Sequence, residues 1–306
     1  MFCNEFEFAI KGPFATLALS LLVDDLDPSA PKVSLPHACV SPRLRFPHSL
    51  EHTHMRIIHI LKVGLPVILA ATTQAQTKPT IVLVHGAFAA AAGWSGVIDR
   101  LQKRGYNVVA VENPLSGLPQ DVATTKRLVD AQPGDVVLVG HSYGGAVISG
   151  ASAGDPKVKA LVFVAAFAPD SNEQLKAVGA KFPQPPLNAA LKPDAAGFLF
   201  VDTAKFHDAF AADLPRSETR IAAASQKPLA GAVFDQSNPG AGWRTIPSWY
   251  MVAKNDHAIN PDAERFYAKR ANAKTTEVES SHVIFLSHPD VVVHVIVEAA
   301  TAGGKH

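Results

Sequence analysis

Two rhythms of hydrophobic and polar positions alternate from Thr77 onward. Short runs rich in β-branched residues recur at Thr80 to Val84, Asn107 to Val111, Asp135 to Val139, Ala160 to Ala166, Pro247 to Ala253 and Thr275 to Val278, and each predicts a strand. Between them the spacing turns helical. Trp94, Val97, Ile98 and Leu101 fall at i, i+3, i+4 and i+7, and Gly105 closes that helix. Asp121 to Ala131 predicts a second helix with Val122, Leu128 and Val129 inward, and small residues to Ala153 follow the third strand. Asn260-Pro261 caps a helix carrying Ala263, Phe266, Tyr267 and Arg270. Ser287-His288-Pro289-Asp290 starts a last one with Val291, Val292, Val295, Ile296 and Ala299 inward. Repeated β–α units of this kind predict an α/β protein: a doubly wound, mainly parallel six-stranded sheet, covered on both faces and joined by right-handed crossovers.

The alternation breaks between Asp170 and about Trp243. This stretch is rich in proline, holds Phe182, Phe198, Phe200, Phe206 and Phe210, and shows only two or three helix-like pieces. It is too long for a simple connection in a compact domain. We read it as a helical cap inserted at about 170–243, most of its aromatics forming its own small core and the remainder lining a pocket.

The first 75 residues follow neither rhythm. Residues 1–54 hold Pro13, Pro28, Pro31, Pro36, Pro42 and Pro47 with scattered histidines, and the apolar run Phe14 to Val23 is too short to span a bilayer. Then Met55-Arg56 and Lys62 precede an apolar stretch from Val63 to Ala71, and Thr73-Gln74-Ala75 ends it. A basic start, a short apolar centre and small residues at −3 and −1 describe a secretory signal peptide over 55–75, cleaved after Ala75. Translation is then expected to begin at Met55, with 1–54 a spurious or disordered extension. The product is expected to be periplasmic or secreted, with no stable membrane association after cleavage; a start at Met1 with the signal unused leaves it cytoplasmic. His48, His52, His54 and His59 lack an acidic or thiol partner nearby and read as solvated side chains, not metal ligands.

Charge and cysteine content narrow the classes. Over 306 residues, Lys+Arg number 28 against Asp+Glu 27, without basic blocks, which argues against nucleic acid as a partner. Both cysteines, Cys3 and Cys39, lie near the start, so the rest of the chain has neither a disulfide nor thiol chemistry.

The candidate chemistry centres on Gly140-His141-Ser142-Tyr143-Gly144-Gly145, set between a predicted strand and a predicted helix. In that context G-x-S-x-G describes a nucleophile elbow: a serine on a sharp, strained turn, flanked by glycines because a Cβ there collides with neighbouring elements. Ligands of open parallel sheets bind beyond the carboxyl ends of the strands. Ala87, Ser142, Asp256 and His282 all fall at such ends, and the order Ser, Asp, His agrees with the elbow reading.

Val82-Leu83-Val84-His85-Gly86-Ala87, Val139 to Gly145, and the Asp256 and Ser281-His282 turns together resemble the α/β-hydrolase superfamily, over about residues 78–300. Within it they resemble the small capped branch of plant methylesterases, hydroxynitrile lyases and related bacterial esterases. The resemblance implies a serine esterase acting on a small-molecule ester, with Ser142 as nucleophile, His282 as general base and acid, and Asp256 orienting the imidazole. It implies the backbone N–H groups of Ala87 and Tyr143 as the oxyanion hole, and neither a metal nor an organic cofactor. Related hydrolases take the acid from the position of Asp170, and Asp256 is favoured over it by chain order. His288 competes with His282 but sits in a helix-start context; His85 and His141 read as structural or pocket-lining, and His257 as exposed beside the acid. Hydroxynitrile lyases carry threonine at the position of Gly86 and lysine after the histidine, so Gly86 and Val283 disfavour that chemistry. A ligand-binding protein of the same fold is the alternative from another class.

Overall fold

The computed structural model describes residues 78–303. The expected extension over 1–54 and the expected signal peptide over 55–75, with both cysteines and the four N-terminal histidines, lie outside them. Six strands form one parallel sheet: β1 (Thr80–Val84), β2 (Val108–Val111), β3 (Val136–His141), β4 (Val158–Val164), β8 (Ser248–Ala253) and β9 (Lys274–Val278). Their order is β2-β1-β3-β4-β8-β9. The central strands β1, β3 and β8 are buried along their whole length, as strands sandwiched by helices must be, whereas the edge strands β2 and β9 are only partly covered.

Right-handed crossovers then dictate the layers. The chain steps one way from β1 to β2 and the other way from β2 onward, so the intervening helices fall on opposite faces. Helix α1 (Ser95–Lys103) packs on the C-terminal α9 (Pro289–Gly303), while α2 (Leu118–Asp130) packs on α3 (Tyr143–Ala151), which lies against β1, β3 and β4. The reversal falls at the carboxyl ends of β1 and β3, the place where such sheets bind ligands. Register keeps those ends level, with Val84 beside Gly140.

Two helices differ from the periodicity. Helix α2 begins at Leu118, and its buried line is Leu118, Asp121, Thr125 and Val129; Val122 and Leu128 are only half-buried. In α9 the buried stripe is Val292, Val293, Val295, Ile296, Ala299 and Ala300, and Val291 is exposed, contrary to its predicted inward position. Proline at 289 starts the helix, so Val291 lies in an uncovered first turn and Val293 takes the inward place.

Between β4 and β8 runs the inserted segment. It holds α4 (Leu175–Gly179), α5 (Phe206–Phe210) and α6 (Arg216–Ala224), and also a three-stranded antiparallel sheet that the pattern did not predict. Strand β6 (Phe198–Val201) is central in that sheet, flanked by β5 (Leu191–Pro193) and β7 (Leu229–Ala230). These strands are too short for alternation to be visible. Helix α7 (Pro261–Arg270) then joins β8 to β9, its Asn260 side chain accepting from Asp262 N as the expected cap, and α8 (Ile284–Ser287) precedes α9. Among the described residues no helix is long and apolar enough to cross a membrane.

Candidate active site

The tightest backbone of the site is the turn between β3 and α3. Ser142 sits there alone, at φ 53 and ψ −123, a conformation that costs a non-glycine residue about 1–3 kcal/mol. Its neighbours hold it: Ser142 N donates to Val164 O at 3.2 Å, while Gly145 N and Phe167 N both donate to Ser142 O. The flanking glycines are required by contact. A Cβ on Gly140 falls 2.6 Å from Gly144 O, and one on Gly144 runs into Val84 O. Gly86 belongs to the same packing, since a Cβ there lies 2.6 Å from the Ser142 Cβ. Threonine at 86 does not fit without moving the elbow.

Two parallel turns bring the next pair together. Lys254 N donates to Val278 O and Asn255 N to Ser280 O, so the β8–β9 ladder continues past both strands. Asp256 and His282 leave it facing each other, with His282 Nδ1 2.5 Å from Asp256 Oδ2. The other oxygen, Asp256 Oδ1, accepts from Ala258 N at 2.5 Å and Ile259 N at 2.9 Å. A carboxylate so supplied accepts the imidazole proton at Nδ1, which leaves Nε2 with a free lone pair. Nε2 is buried and has no hydrogen-bond partner among the described residues. Ser142, His282 and Asp256 are 7%, 1% and 4% exposed, so the group is largely dry. Asp170 lies elsewhere: its carboxylate forms a two-pronged pair with Arg244, which holds it below the usual carboxylate range.

The N–H groups of Ala87 and Tyr143 flank the elbow, and neither has a protein acceptor among the described residues. Both are braced. His85 Nε2 accepts from Asn113 N at 3.0 Å, so His85 Nδ1 carries the proton and donates to Gly86 O at 2.8 Å, tying the loop after β1 to the end of β2. Tyr143 Oη donates to the buried Asp121 Oδ2 at 2.7 Å, and Leu115 N donates to Oδ1. Burial pushes Asp121 above the usual carboxylate range, with those two hydrogen bonds opposing it.

The remaining histidines have separate places. His141 is buried and its Nε2 donates to His282 O at 3.0 Å, so the residue before Ser142 holds the backbone of His282. His257 is exposed and bonds Asp208 O of α5, while His288 donates to Glu279 O. The inserted segment makes two contributions, of which only Asp213 had no signal in the sequence. Phe210 sets its ring edge-on to His282, centroids 5.0 Å apart. Asp213, in the loop after α5, accepts from Ser281 N at 3.0 Å, Ser280 Oγ at 2.8 Å and Ser281 Oγ. Burial pushes Asp213 up, but those bonds outweigh it and hold the carboxyl below its usual range. A cavity of about 350 Å³ opens between the inserted segment and α7. Phe167, Leu175, Leu191, Leu199, Ile259 and Tyr267 line it, and none of Ser142, Asp256 and His282 does. Among the described residues no three His, Cys, Asp or Glu side chains converge as metal ligands.

The buried histidines fix a pH response. Burial, and next repulsion from His282, push His141 well below its ordinary value against the hydrogen bond to His282 O; burial also lowers His85. Both are neutral when folded and protonate in the unfolded chain below about pH 6.5. The unfolded state then binds more protons, so their contribution is complete above that pH and lost as pH falls below it. The melting temperature should be level near neutrality and drop from about pH 6.5 downward, read by circular dichroism. His141→Asn should melt lower at pH 8 and show a shallower slope; equal slopes count against the assignment.

Residues 81–295 match the model of the alpha/beta hydrolase family. The alpha/beta hydrolase nvfD of Aspergillus novofumigatus is 30% identical over 247 residues, covering 73% of this chain and 97% of that protein. Methylesterase 8 of Arabidopsis thaliana is 28% identical over 218 residues, covering 63% of this chain and 78% of the relative. Among solved structures, a pyrethroid hydrolase from Sphingobium faniae JZ-2 superposes with a TM-score of 0.64 at 21% identity, covering 75% of this chain and all of that one.

Proposed function

The chain belongs to the alpha/beta hydrolase family, and from that premise we propose that it is a serine carboxylesterase acting on small esters through Ser142, His282 and Asp256. The observation that carries the reading is the Asp256–His282 hydrogen bond beside the strained Ser142 turn, with His282 Nε2 left free. The reaction follows from those groups. Ser142 Oγ attacks the ester carbonyl while His282 Nε2 takes its proton, and the carbonyl oxygen gains the charge. The Ala87 and Tyr143 N–H groups hold that oxyanion, a contribution of about 3 kcal/mol per donor. The tetrahedral adduct collapses, the leaving alcohol takes the proton from His282, and an acyl group remains on Ser142. Water, deprotonated by the same nitrogen, adds to the acyl carbonyl, and His282 returns that proton to Ser142 Oγ as the acid leaves. Asp256 stays ionised throughout and steadies the imidazolium. The contact from His282 Nε2 to Ser142, unmade here, forms in the substrate complex, as catalytic hydrogen bonds of free enzymes often do.

A methylesterase among the relatives supports an ester as substrate class. The test is a panel of short-chain and aromatic nitrophenyl esters. Catalytic turnover of at least one is expected, and stoichiometric binding without turnover overturns the proposal in favour of a ligand-binding protein. The same reading carries an address, with 55–75 a cleaved signal peptide and 170–243 a cap. Expressed from Met55 in a secreting bacterial host, the exported protein should begin at Gln76. An intact mass that retains 55–75 sinks that part.

A further inference from the structure

Behind Asp256 lies an acid with no part in the reaction just described. Glu264, on α7, is 0% exposed. Its Oε2 accepts from Ala253 N at 3.0 Å, and its Oε1 has no hydrogen-bond donor among the described residues. Ala253 ends β8, and its carbonyl receives Asp256 N at 3.3 Å, so Glu264 and Asp256 grip one turn from its two sides. A second carboxylate at that place is physically unfavourable. Asp256 is already buried and already has its donors in Ala258, Ile259 and His282. Two buried carboxyls side by side do not both ionise; one keeps a proton. The donors decide which. Asp256 has three, so it holds the charge, and Glu264 has one, so it holds the proton.

We propose that Glu264 is a positioning residue for Asp256: it stays a neutral carboxylic acid, fastens the end of β8 and offers Asp256 a proton donor from below. Two ionised carboxylates have no hydrogen to share, whereas one proton turns the unpartnered Glu264 into a donor and leaves Asp256 charged for His282. The surrounding groups agree. On β8 the Tyr250 hydroxyl is tied to the Ala166 backbone. On α7, Arg265 is committed to Glu277 and Asp262 at the surface. Burial pushes Glu264 well above the usual carboxylate range, the Asp256 charge and a hydrogen bond to Asp256 push the same way, and the Ala253 N–H and then Arg265 oppose them.

The proposal rests on Asp256 as the acid of the reaction above, and two readouts separate its failure from failure of that reaction. Infrared spectra at neutral pH should show a protonated-carboxyl stretch that disappears in Glu264→Gln; no difference between the two proteins overturns the proposal. Titration of His282 by imidazole NMR, which needs no turnover, should give the same midpoint in Glu264→Gln, because the amide still donates. In Glu264→Leu, or in the more compliant Glu264→Met if leucine does not fold, Asp256 loses a donor and becomes more basic. The His282 midpoint should then rise, and kcat/KM for the best nitrophenyl ester should fall about 10- to 100-fold. A midpoint that stays or falls in those variants, or equal losses in Gln and Leu, overturns it and leaves Glu264 a packing residue. A wild-type protein that turns over no ester fails the proposed reaction alone, since both spectra still read Glu264.

Discussion

Ser142→Ala should abolish ester turnover almost completely, by a factor on the order of 10⁶ in kcat if Ser142 and His282 act as a unit, as the corresponding pair does in a serine protease. The reason is specific to the place. The Ser142 hydroxyl bonds to none of the described residues, and everything else about residue 142 that the fold uses is backbone: its N–H to Val164 and its carbonyl to Gly145 and Phe167. Alanine keeps all three and adopts the same φ at similar cost, so stability should change by less than about 1 kcal/mol. Steady-state rates on nitrophenyl esters, paired with a thermal melt, check both halves. Retained turnover in a folded variant removes Ser142 from the reaction.

Asp256→Asn should be nearly as severe, about 10⁴ in kcat by analogy with the corresponding change in a serine protease. Either orientation of the new amide is damaging. Its NH₂ facing His282 cannot accept from Nδ1 and drives the imidazole to the wrong tautomer; its NH₂ facing Ala258 and Ile259 sets donor against two donors. Asp170→Asn is the control. It loses the pair with Arg244 at a partly exposed site and should leave kcat nearly unchanged. Rates of the two variants at saturating ester rank the acids directly, and a reversed ranking moves the acid to Asp170.

The frame was legible because each of its signals is local. Six β-branched runs and the helical spacings between them need only their own neighbours to be recognised, and strand ends follow from the runs. Val291 departs from its expected inward place because spacing alone does not show that nothing covers the first turn after Pro289. The support around the site was illegible for a different reason. Asp213 reaches Ser281 from 68 residues away, and nothing in its surrounding sequence marks it. Asp121 reads as an ordinary first-turn acid until Tyr143 is seen to bond it. Glu264 is no better marked: only the burial of Ala263, Tyr267, Ala268 and Ala271 around it shows that a charged residue stands inside a covered stripe. Buried acids are identified by what surrounds them, and their surroundings are assembled only by the fold.

The bond from Asp213 to Ser280 and Ser281 bears on how this scaffold could be re-engineered. Segments inserted between β4 and β8 invite exchange, since they begin and end at neighbouring strands of the sheet. Here the inserted stretch also supplies a ligand to the turn that carries His282. A chimera with a foreign segment would import new specificity and delete that ligand in the same step, leaving the imidazole on a looser tether. Grafts that carry over Asp213 with its loop should keep their rate, and those that omit it should lose rate whatever pocket they bring.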